Sequence, residues 1–432
     1  MRNAEVPHGI YNAMRVHLTG AEGAGMKWLA DYYRSRGNEV SGSDLLTGGH
    51  CAANVRGADL VVYSAAVPTD NAELVEAKRL GIRTICRAQA LAEAAACFGE
   101  SIAVAGTHGK TTTTCMLAEI LRPYRPAVFF GGTYKGGRGS ASGELLIAEA
   151  CEYKRGFLYM RPSIAVVLNV ELDHTDCYSS LADVKDAFRQ FVGGAGIAVL
   201  PDSLASEPGG GHCVTVGRTG GYACIDCVCE GGGSRVAIKT PDGVKRFKLS
   251  VPGRHNAENA AFAVAAARTF GADYREIEEG LIRFTGADRR LQRVGTTGGA
   301  VVFSDYAHHP TELAASVAAY REAGFKHVLV VFQPHTHERL GKFMDGFADV
   351  LSGVRSIVLP VFRARGSDEG ATSEELAERV RERGGDCVAL PLAEAAEMIK
   401  KAAPECDAVA VTGAGDNEKI LPLILDQSSP NE

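Results

Sequence analysis

The sequence predicts an α/β protein of several domains, and three observations carry that expectation. At 432 residues the chain is too long for one ordinary hydrophobic core, which points to two or three domains. Short apolar runs alternate with helix-like stretches along three successive blocks. At Val16 and again at Ser101 a strand-like run leads through a glycine-rich turn into a helix-like stretch, the signature of a parallel, doubly wound sheet.

The first block, Val16 to about Ala96, opens with the strand Val16-His-Leu-Thr, a glycine turn and a helix from Met26 to Arg36. Strands at Glu39-Val-Ser-Gly-Ser and Leu60-Val-Val-Tyr-Ser follow. The second block begins at Ser101-Ile-Ala-Val-Ala, with further strands at Leu145-Leu-Ile-Ala and Ile164-Ala-Val-Val-Leu. Between Gly209 and Gly233 the glycine- and cysteine-rich composition predicts short antiparallel strands and turns. A helix follows Pro252-Gly-Arg-His-Asn through the alanines of 260–268. The third block, from about Gly295, predicts strands at Val301-Val-Phe, Val328 to Phe332, Ile357-Val-Leu and Ala408 to Thr412. Its helices are expected at Thr311–Glu322 and Ser373–Glu382, the latter with Ser373 as N-cap before an acidic first turn. The tail after Gln427 is polar and is expected to fray.

Composition narrows the function classes. An apolar fraction of 46% and a charged fraction of 23% are those of a soluble globular protein. No run of about 18 apolar residues predicts a membrane helix, and residues 1–15, with Arg2, Glu5, Pro7 and His8, lack the apolar region of a signal peptide. A net charge of −6 argues against broad nucleic-acid binding. The 12 cysteines lie mostly in apolar runs, the pattern of reduced thiols and a cytoplasmic address. Cys224 and Cys227, with Cys229, Cys213 and His212 near, offer half of a zinc site, but no second well-spaced pair follows. The same segment reads as a short strand, so these thiols are taken as structural.

The strongest chemical signal is Gly106-Thr107-His108-Gly109-Lys110-Thr111-Thr112, between an apolar strand and the helix-like run Cys115 to Leu121. A polyphosphate needs close backbone N–H groups, the positive end of a helix, a lysine charge and a hydroxyl that reaches Mg²⁺. Gly109, Lys110 and Thr111 supply these in order, although the loop is shorter than the strict G-x-x-x-x-G-K-[ST] pattern. Glu149 ends one predicted strand, and Asp173-His174-x-Asp176 follows another. Ligands collect beyond the carboxyl ends of parallel strands, so Glu149 and His174 are candidates for a metal bridging phosphate and substrate oxygens. Gly20, Gly23 and Gly25 form a G-x-x-G-x-G turn with Asp44 about twenty residues on, which suits a nucleotide diphosphate. In the third block, Asp305, His308 and His309 precede a proline-started helix, and Gln333-Pro-His335 ends the next strand.

On these segments the chain resembles the Mur ligase family, along nearly its whole length. The likeness rests on 106–114, Glu149-Ala-Cys-Glu-Tyr, Asn169-Val-Glu-Leu-Asp-His, Pro252-Gly-Arg-His-Asn with Asn259, and Arg289-Arg290. It continues through Asp305-Tyr-Ala-His-His-Pro-Thr-Glu and Gln333-Pro-His-Thr, segments particular to the alanine-adding branch and its close relatives. The resemblance implies three domains: a Rossmann-like UDP-sugar domain at 1–97, a central P-loop ATPase domain with a mixed sheet at 98–293, and a Rossmann-like domain at 294–432. It implies ATP and Mg²⁺, with UDP-N-acetylmuramate and L-alanine as substrates of a monomer or homodimer. Lys110 would hold the β- and γ-phosphates. Thr111, Glu149 and His174 would be metal-site residues, and Asn259 and Arg290 would contact the nucleotide. Asp305 and His308 would close over it, while the Gly20–Gly25 turn, Asp44, His50 and Arg87 would bind the UDP-sugar. The implied reaction activates the muramyl carboxylate as an acyl phosphate, which the alanine amine then attacks.

Several positions depart from the family pattern. Ser304 replaces the first of two aspartates, Glu22 puts a charge in the glycine turn, and the segments at 336–340 and around Arg363-Ala-Arg365-Gly366 differ. Ala187-Phe188-Arg189 stands where ligases adding later residues carry a modified lysine. Two alternatives stand beside this reading: a sibling ligase that recycles murein tripeptide, and a non-catalytic nucleotide-binding relative.

Overall fold

Among the described residues the strands assemble into four sheets. The structure is a computed structural model, described here for residues 13–426 apart from 138, 175–176, 206–211, 231 and 363–368. Asp176, Gly209, the segment Arg363 to Gly366 and the tail after Gln427 therefore lie outside the described residues. The chain divides into two compact units, one from residues 1–221 with 262–280 and one from residues 222–261 with 281–432.

The first unit holds two parallel sheets. Strands β1 (Arg15–Thr19), β2 (Glu39–Ser43), β3 (Leu60–Tyr63) and β4 (Arg83–Cys86) run parallel in the order β2-β1-β3-β4. Helices α1 (Ala24–Ser35), α2 (Ala72–Arg79) and α3 (Arg87–Ala95) connect and follow them. α1 is a two-faced helix: Met26, Leu29 and Tyr33 fall one turn apart and are buried, while Asp31 and Arg34 face solvent. Its Trp28 meets Phe129 edge to face at 5.2 Å and donates its indole N–H to the Ser140 carbonyl at 3.0 Å.

The second sheet of this unit contains β5 (Glu100–Ala105), β6 (Ala127–Phe129), β7 (Leu145–Glu149), β8 (Ile164–Val167), β9 (Ile197–Pro201) and β10 (Cys213–Val216). Its order is β10-β9-β8-β5-β7-β6, and every pairing is parallel. Ile102, Ala103, Val104 and Ala105 are each at most 1% exposed, as a central strand covered on both faces requires. Helices α4 (Lys110–Ile120) and α5 (Leu181–Gly193) belong to this layer.

The mixed sheet expected of the central block is corrected here. Parallel and antiparallel strands separate into two sheets, because the antiparallel strands pair only with one another. These are β11 (Ala223–Glu230), β12 (Gly233–Thr240) and β13 (Gly243–Leu249) of the second unit. The expectation of antiparallel strands within 209–233 holds for β11, but β10 joins the parallel sheet through β9. A bulge between Cys224 and Asp226 sets Cys224, Cys227 and Cys229 opposite Ile238, Val236 and Ser234, on one face of the strand.

Helices α6 (Arg254–Phe270) and α7 (Tyr274–Arg283) follow. The last sheet is the mixed one: β14 (Gln292–Thr297), β15 (Ala300–Asp305), β16 (Val328–Gln333), β17 (Arg355–Val358), β18 (Cys387–Ala389) and β19 (Ala408–Gly413). In the order β14-β15-β19-β16-β17-β18, β14 alone runs antiparallel to its neighbour. Alternate residues feed two separate cores. Val330, Phe332 and Ala410 face one side, with residues of α8 (Pro310–Glu322), α9 (His337–Leu351) and α10 (Ser373–Glu382). Leu329, Val331 and Val411 face the other, with α11 (Leu392–Ala402). The N-cap of α10 is Thr372, one residue before the expected Ser373. Thr372 accepts from Glu375 N–H while the Glu375 carboxylate accepts from Thr372 N–H, so the reciprocal capping box fixes the start. No helix among the described residues is long and apolar enough to cross a membrane.

Candidate active site

Gly109 begins the site. It adopts φ +83°, a left-handed conformation that costs glycine little, and it caps α4 without any side-chain acceptor. The first-turn N–H groups of α4 are thereby left for an anion, reinforced by the helix dipole. The loop before it is braced from the end of β8. Asn169 accepts from His108 N–H at 2.8 Å and donates to the His108 carbonyl at 3.1 Å. Thr107 Oγ1 accepts from Glu171 N–H at 2.8 Å, and Glu171 lies 3.4 Å from His108 Nε2. Thr112 is buried one residue beyond Thr111 in the same helix turn.

Lys110 lies back over this loop. Its ammonium donates to the carbonyls of Gly106 at 2.5 Å and Thr107 at 3.1 Å, and pairs with Glu152 at 3.0 Å. Burial pulls its pKa down, but the carboxylates of Glu152 and Glu149 outweigh it, so the ammonium is held charged well above the usual lysine range. Glu152 is the reciprocal case. Burial pushes it up, while Lys110 and His174 bring it below the ordinary carboxylate value. Its backbone carbonyl accepts from Tyr178 OH at 2.7 Å, which anchors the turn after β7. The neighbouring Cys151 thiol is pushed up to about 11, chiefly by burial, and is neutral.

Thr111 and Glu149 meet as expected, Thr111 Oγ1 donating to Glu149 Oε2 at 2.8 Å, with Gly131 N–H on the same oxygen at 3.1 Å. A hydroxyl beside a carboxylate is a hard-oxygen pair suited to Mg²⁺. His174, at φ 48°, lies elsewhere in the cluster: its Nε2 is 3.5 Å from Glu152 and 3.9 Å from Asp173, and its ring packs on Tyr153. The expected set Thr111, Glu149 and His174 thus resolves into two pairs, Thr111 with Glu149 and His174 with Glu152. The unassigned residue in this arrangement is Glu152. Its motif was visible in the sequence, but nothing there says which of two glutamates three residues apart faces the lysine.

The glycine turn of the first sheet has the same design. Gly23 caps α1 without a side-chain acceptor, and Gly20 and Ala21 donate their N–H groups to the Ser43 carbonyl at 2.8 and 2.9 Å. A Cβ on Gly25 would fall 2.8 Å from Arg87 Nη1 and 3.2 Å from Phe129, so glycine lets the predicted arginine pack beneath the turn. Asp44 is already engaged: it accepts from Glu22 N–H at 3.0 Å and from Leu46 N–H at 3.1 Å, tying turn to strand end. The Glu22 charge is compensated by Lys27. His50 Nδ1 lies 3.0 Å from Ser43 Oγ.

In the second unit, Asp305 is buried at the end of β15 and accepts from Ser316 Oγ; burial raises its pKa. His308 Nδ1 donates to the Tyr306 carbonyl at 2.9 Å and lies 3.2 Å from Glu312, and burial lowers its pKa to about 4, so the ring is neutral. Arg290 reaches Glu312 at 3.5 Å and, with Arg289, flanks the Tyr306 ring. His309 is a helix cap, its Nδ1 accepting from Thr311 N–H at 3.3 Å. Ser304 donates to Glu418 at 2.7 Å, and Gln333 donates to Asp416 at 3.0 Å. Asn259 is half-buried on α6.

Comparison with known proteins places this geometry. Three family models match in succession: "Mur ligase family, catalytic domain" at 15–98, "Mur ligase middle domain" at 104–267 and "Mur ligase, glutamate ligase domain" at 289–415. The UDP-N-acetylmuramate–L-alanine ligase of Caldicellulosiruptor saccharolyticus is 36% identical over 446 residues, covering 95% of this chain and 98% of that one. The ligase of the same name from Renibacterium salmoninarum is 38% identical over 448 residues, covering 95% of each chain. Among solved structures, a UDP-N-acetylmuramate-alanine ligase from Thermotoga maritima superposes with a TM-score of 0.80 at 26% identity, over 94% of this chain and 97% of that one. A murein peptide ligase from Psychrobacter arcticus shares the fold, with a TM-score of 0.68 at 23% identity over 97% of this chain and all of that one.

Proposed function

This chain belongs to the Mur ligase family, and from that premise we propose that it joins UDP-N-acetylmuramate to L-alanine at the expense of ATP. It is an ATP-dependent acid–amino-acid ligase of peptidoglycan precursor synthesis. The observation that carries the reading is the charged, buried Lys110 at the start of α4, beside the Thr111–Glu149 pair.

In the proposed reaction a muramyl carboxylate oxygen attacks the γ-phosphorus of ATP, the bond to the β-phosphate oxygen breaks, and ADP leaves an acyl phosphate. The alanine amine then attacks the acyl carbon, phosphate departs and the nitrogen loses a proton. Lys110, Gly109 and the N–H groups opening α4 offset the negative charge spread over the transferred phosphoryl group. We assign Gly106, Thr107, His108 and Thr112 to the phosphate cradle, and Thr111, Glu149 and His174 to Mg²⁺. The ion would supply further charge neutralisation at the phosphates. Glu152 holds Lys110 charged and orients His174. Asn259, Arg290, Asp305 and His308 are assigned to nucleotide contact on the family likeness. Gly20, Gly23, Gly25, Asp44, His50 and Arg87 are assigned to the UDP-sugar, Asp44 chiefly through the turn it braces. The boundaries 1–97, 98–293 and 294–432, a cytoplasmic location and a monomeric or homodimeric state belong to the same proposal. The boundaries are supported by strands that change sheet near each of them.

The test is ADP release with UDP-N-acetylmuramate, with and without L-alanine, and with murein tripeptide as competitor. Release that depends on L-alanine and is abolished in Lys110→Ala supports the reading. Release indifferent to the amino acid, preference for tripeptide, or an unaffected Lys110→Ala overturns it.

A further inference from the structure

Beneath the glycine turn of the first sheet lies a fully buried carboxylate to which neither the sequence reading nor the proposed chemistry gives a task. Glu73, in the first turn of α2, is 0% exposed. Its Oε2 accepts from Thr19 Oγ1 at 2.7 Å and Ser43 Oγ at 2.7 Å, with His17 Nε2 at 3.2 Å and His50 Nδ1 at 3.6 Å. Its Oε1 accepts from Asn54 Nδ2 at 2.7 Å and Cys51 N–H at 3.2 Å. The groups that converge on it are donors, a demand that only an acceptor-only carboxylate meets.

We infer that Glu73 is a positioning residue for the UDP-sugar site, ordering the Ser43 hydroxyl so that His50 is held as its Nδ1–H tautomer. The reasoning follows the protons. A serine hydroxyl has one proton, and Ser43 spends it on Glu73 Oε2 at 2.7 Å. Ser43 Oγ can then only accept from His50 Nδ1, 3.0 Å away, so the hydrogen on that contact belongs to the ring. In an uncharged ring Nε2 would then be the acceptor, and among the described residues Nε2 has no partner. A Nδ1–H histidine reads a donor, a sugar or ribose hydroxyl or the uracil N–H, and the opposite tautomer would not.

The same residue ties this proton order to the turn. Ser43 holds Gly20 and Ala21 through its carbonyl, and Asp44 after it holds Glu22. The carboxylate therefore anchors residues after the carboxyl ends of β1 and β2, where parallel sheets present ligands. Burial pushes the Glu73 pKa up, but hydrogen bonds from Ser43, Asn54, Thr19 and Cys51 outweigh it and hold it near 2, so the charge is permanent at neutral pH. The dipole of α2, capped by Asn71, adds to this. Burial keeps His17 neutral, with Nδ1 toward Ser41 and Nε2 toward Glu73.

The inference rests on the reading of this turn as the UDP-sugar site, and its test separates the two. In the full-length enzyme, Glu73→Gln should raise the KM and Kd for UDP-N-acetylmuramate about tenfold or more, through mispaired donors. The kcat and the KM for ATP should stay within about twofold. Ser43→Ala, milder to the fold, should act in the same direction. In wild-type enzyme, ¹⁵N shifts of the His50 ring should show a protonated Nδ1, lost in both variants. A protonated Nε2 in the wild type, or a Glu73→Gln enzyme that binds the UDP-sugar normally, overturns the inference. So does a parallel rise of both KM values with a lowered Tm, which marks a purely structural anchor. Failure of the wild type to bind UDP-N-acetylmuramate overturns the substrate reading instead, and the His50 tautomer still decides the proton order.

Discussion

At the scale of single residues, buried charges account for more of this site than exposed ones. Lys110 and Glu152 are 12% and 3% exposed at their side chains and neutralise each other. Glu152→Gln leaves an ammonium buried without its counter-charge, a loss of about 3–5 kcal/mol for a broken buried pair. Urea unfolding should register that loss, and kcat should fall with it. His308 gives a pH signature. Burial takes its pKa from 6.5 to about 4, so between those values the unfolded chain binds a proton that the folded ring refuses. Its contribution is therefore present above pH 6.5 and disappears as the pH falls toward 4. His308→Gln should flatten the fall of Tm in that window and change little above it. Both residues occur in motifs that the sequence displays, but their pairings do not. Glu149 faces Thr111 and Glu152 faces Lys110 because the chain turns after β7, and a turn erases the period from which facing is read.

Elements repeat one device. α1 and α4 both begin at a glycine with no side-chain cap, so no side chain covers the opening N–H groups of either helix, the arrangement that suits an anion. Gly25→Ala tests the packing beneath the first of them: the methyl must displace Arg87 or Phe129. A rise of a few-fold in the KM for the UDP-sugar, with a stability change of about 1 kcal/mol, is expected. α10 shows the contrasting, purely structural cap. Thr372→Ala should cost about 0.5–2 kcal/mol in guanidinium unfolding while leaving ADP release unchanged. The sequence pointed to Ser373 because both residues are capping types. The geometry chose Thr372 because Glu375 is three residues on and closes the box. Strands were legible in most of the runs rich in valine and isoleucine, as in β5, β8, β16 and β19, although β9 with its Ile197-Ala-Val-Leu run went unread. β12 and β13 passed unseen because they interleave charged residues with buried ones, Arg235 and Lys239 in one and Lys245 and Lys248 in the other.

For the whole molecule, ligand binding should report on folding. The nucleotide binds only the folded chain, so AMPPNP with Mg²⁺ at a hundredfold its Kd should stabilise by about 2.7 kcal/mol. Chelating the metal should remove most of that gain, and Thr111→Ala or Glu149→Gln should lessen its dependence on Mg²⁺. A thermal shift that survives unchanged in both variants would argue against the Thr111–Glu149 pair as the metal site. The last sheet illustrates why the fold class was readable at this scale. Successive residues of β16 and β19 are buried on opposite faces, so these strands are continuously apolar, which marks a sheet covered on both sides.

The sequence by itself determined the class of fold, the glycine-rich loop 106–112 leading into a helix, the carboxylates and histidines at strand ends, and the family they make up. Those features depend on residue type and local spacing, which a linear chain records. Tertiary structure alone decided that the antiparallel strands form a sheet of their own, that Asp44 is spent on bracing a turn, and that Glu73 and Glu152 each gather donors from distant segments. Those outcomes depend on which buried groups meet. A carboxylate taken out of water must be matched by donors, here tens of residues away in sequence, and only the folded chain brings them together.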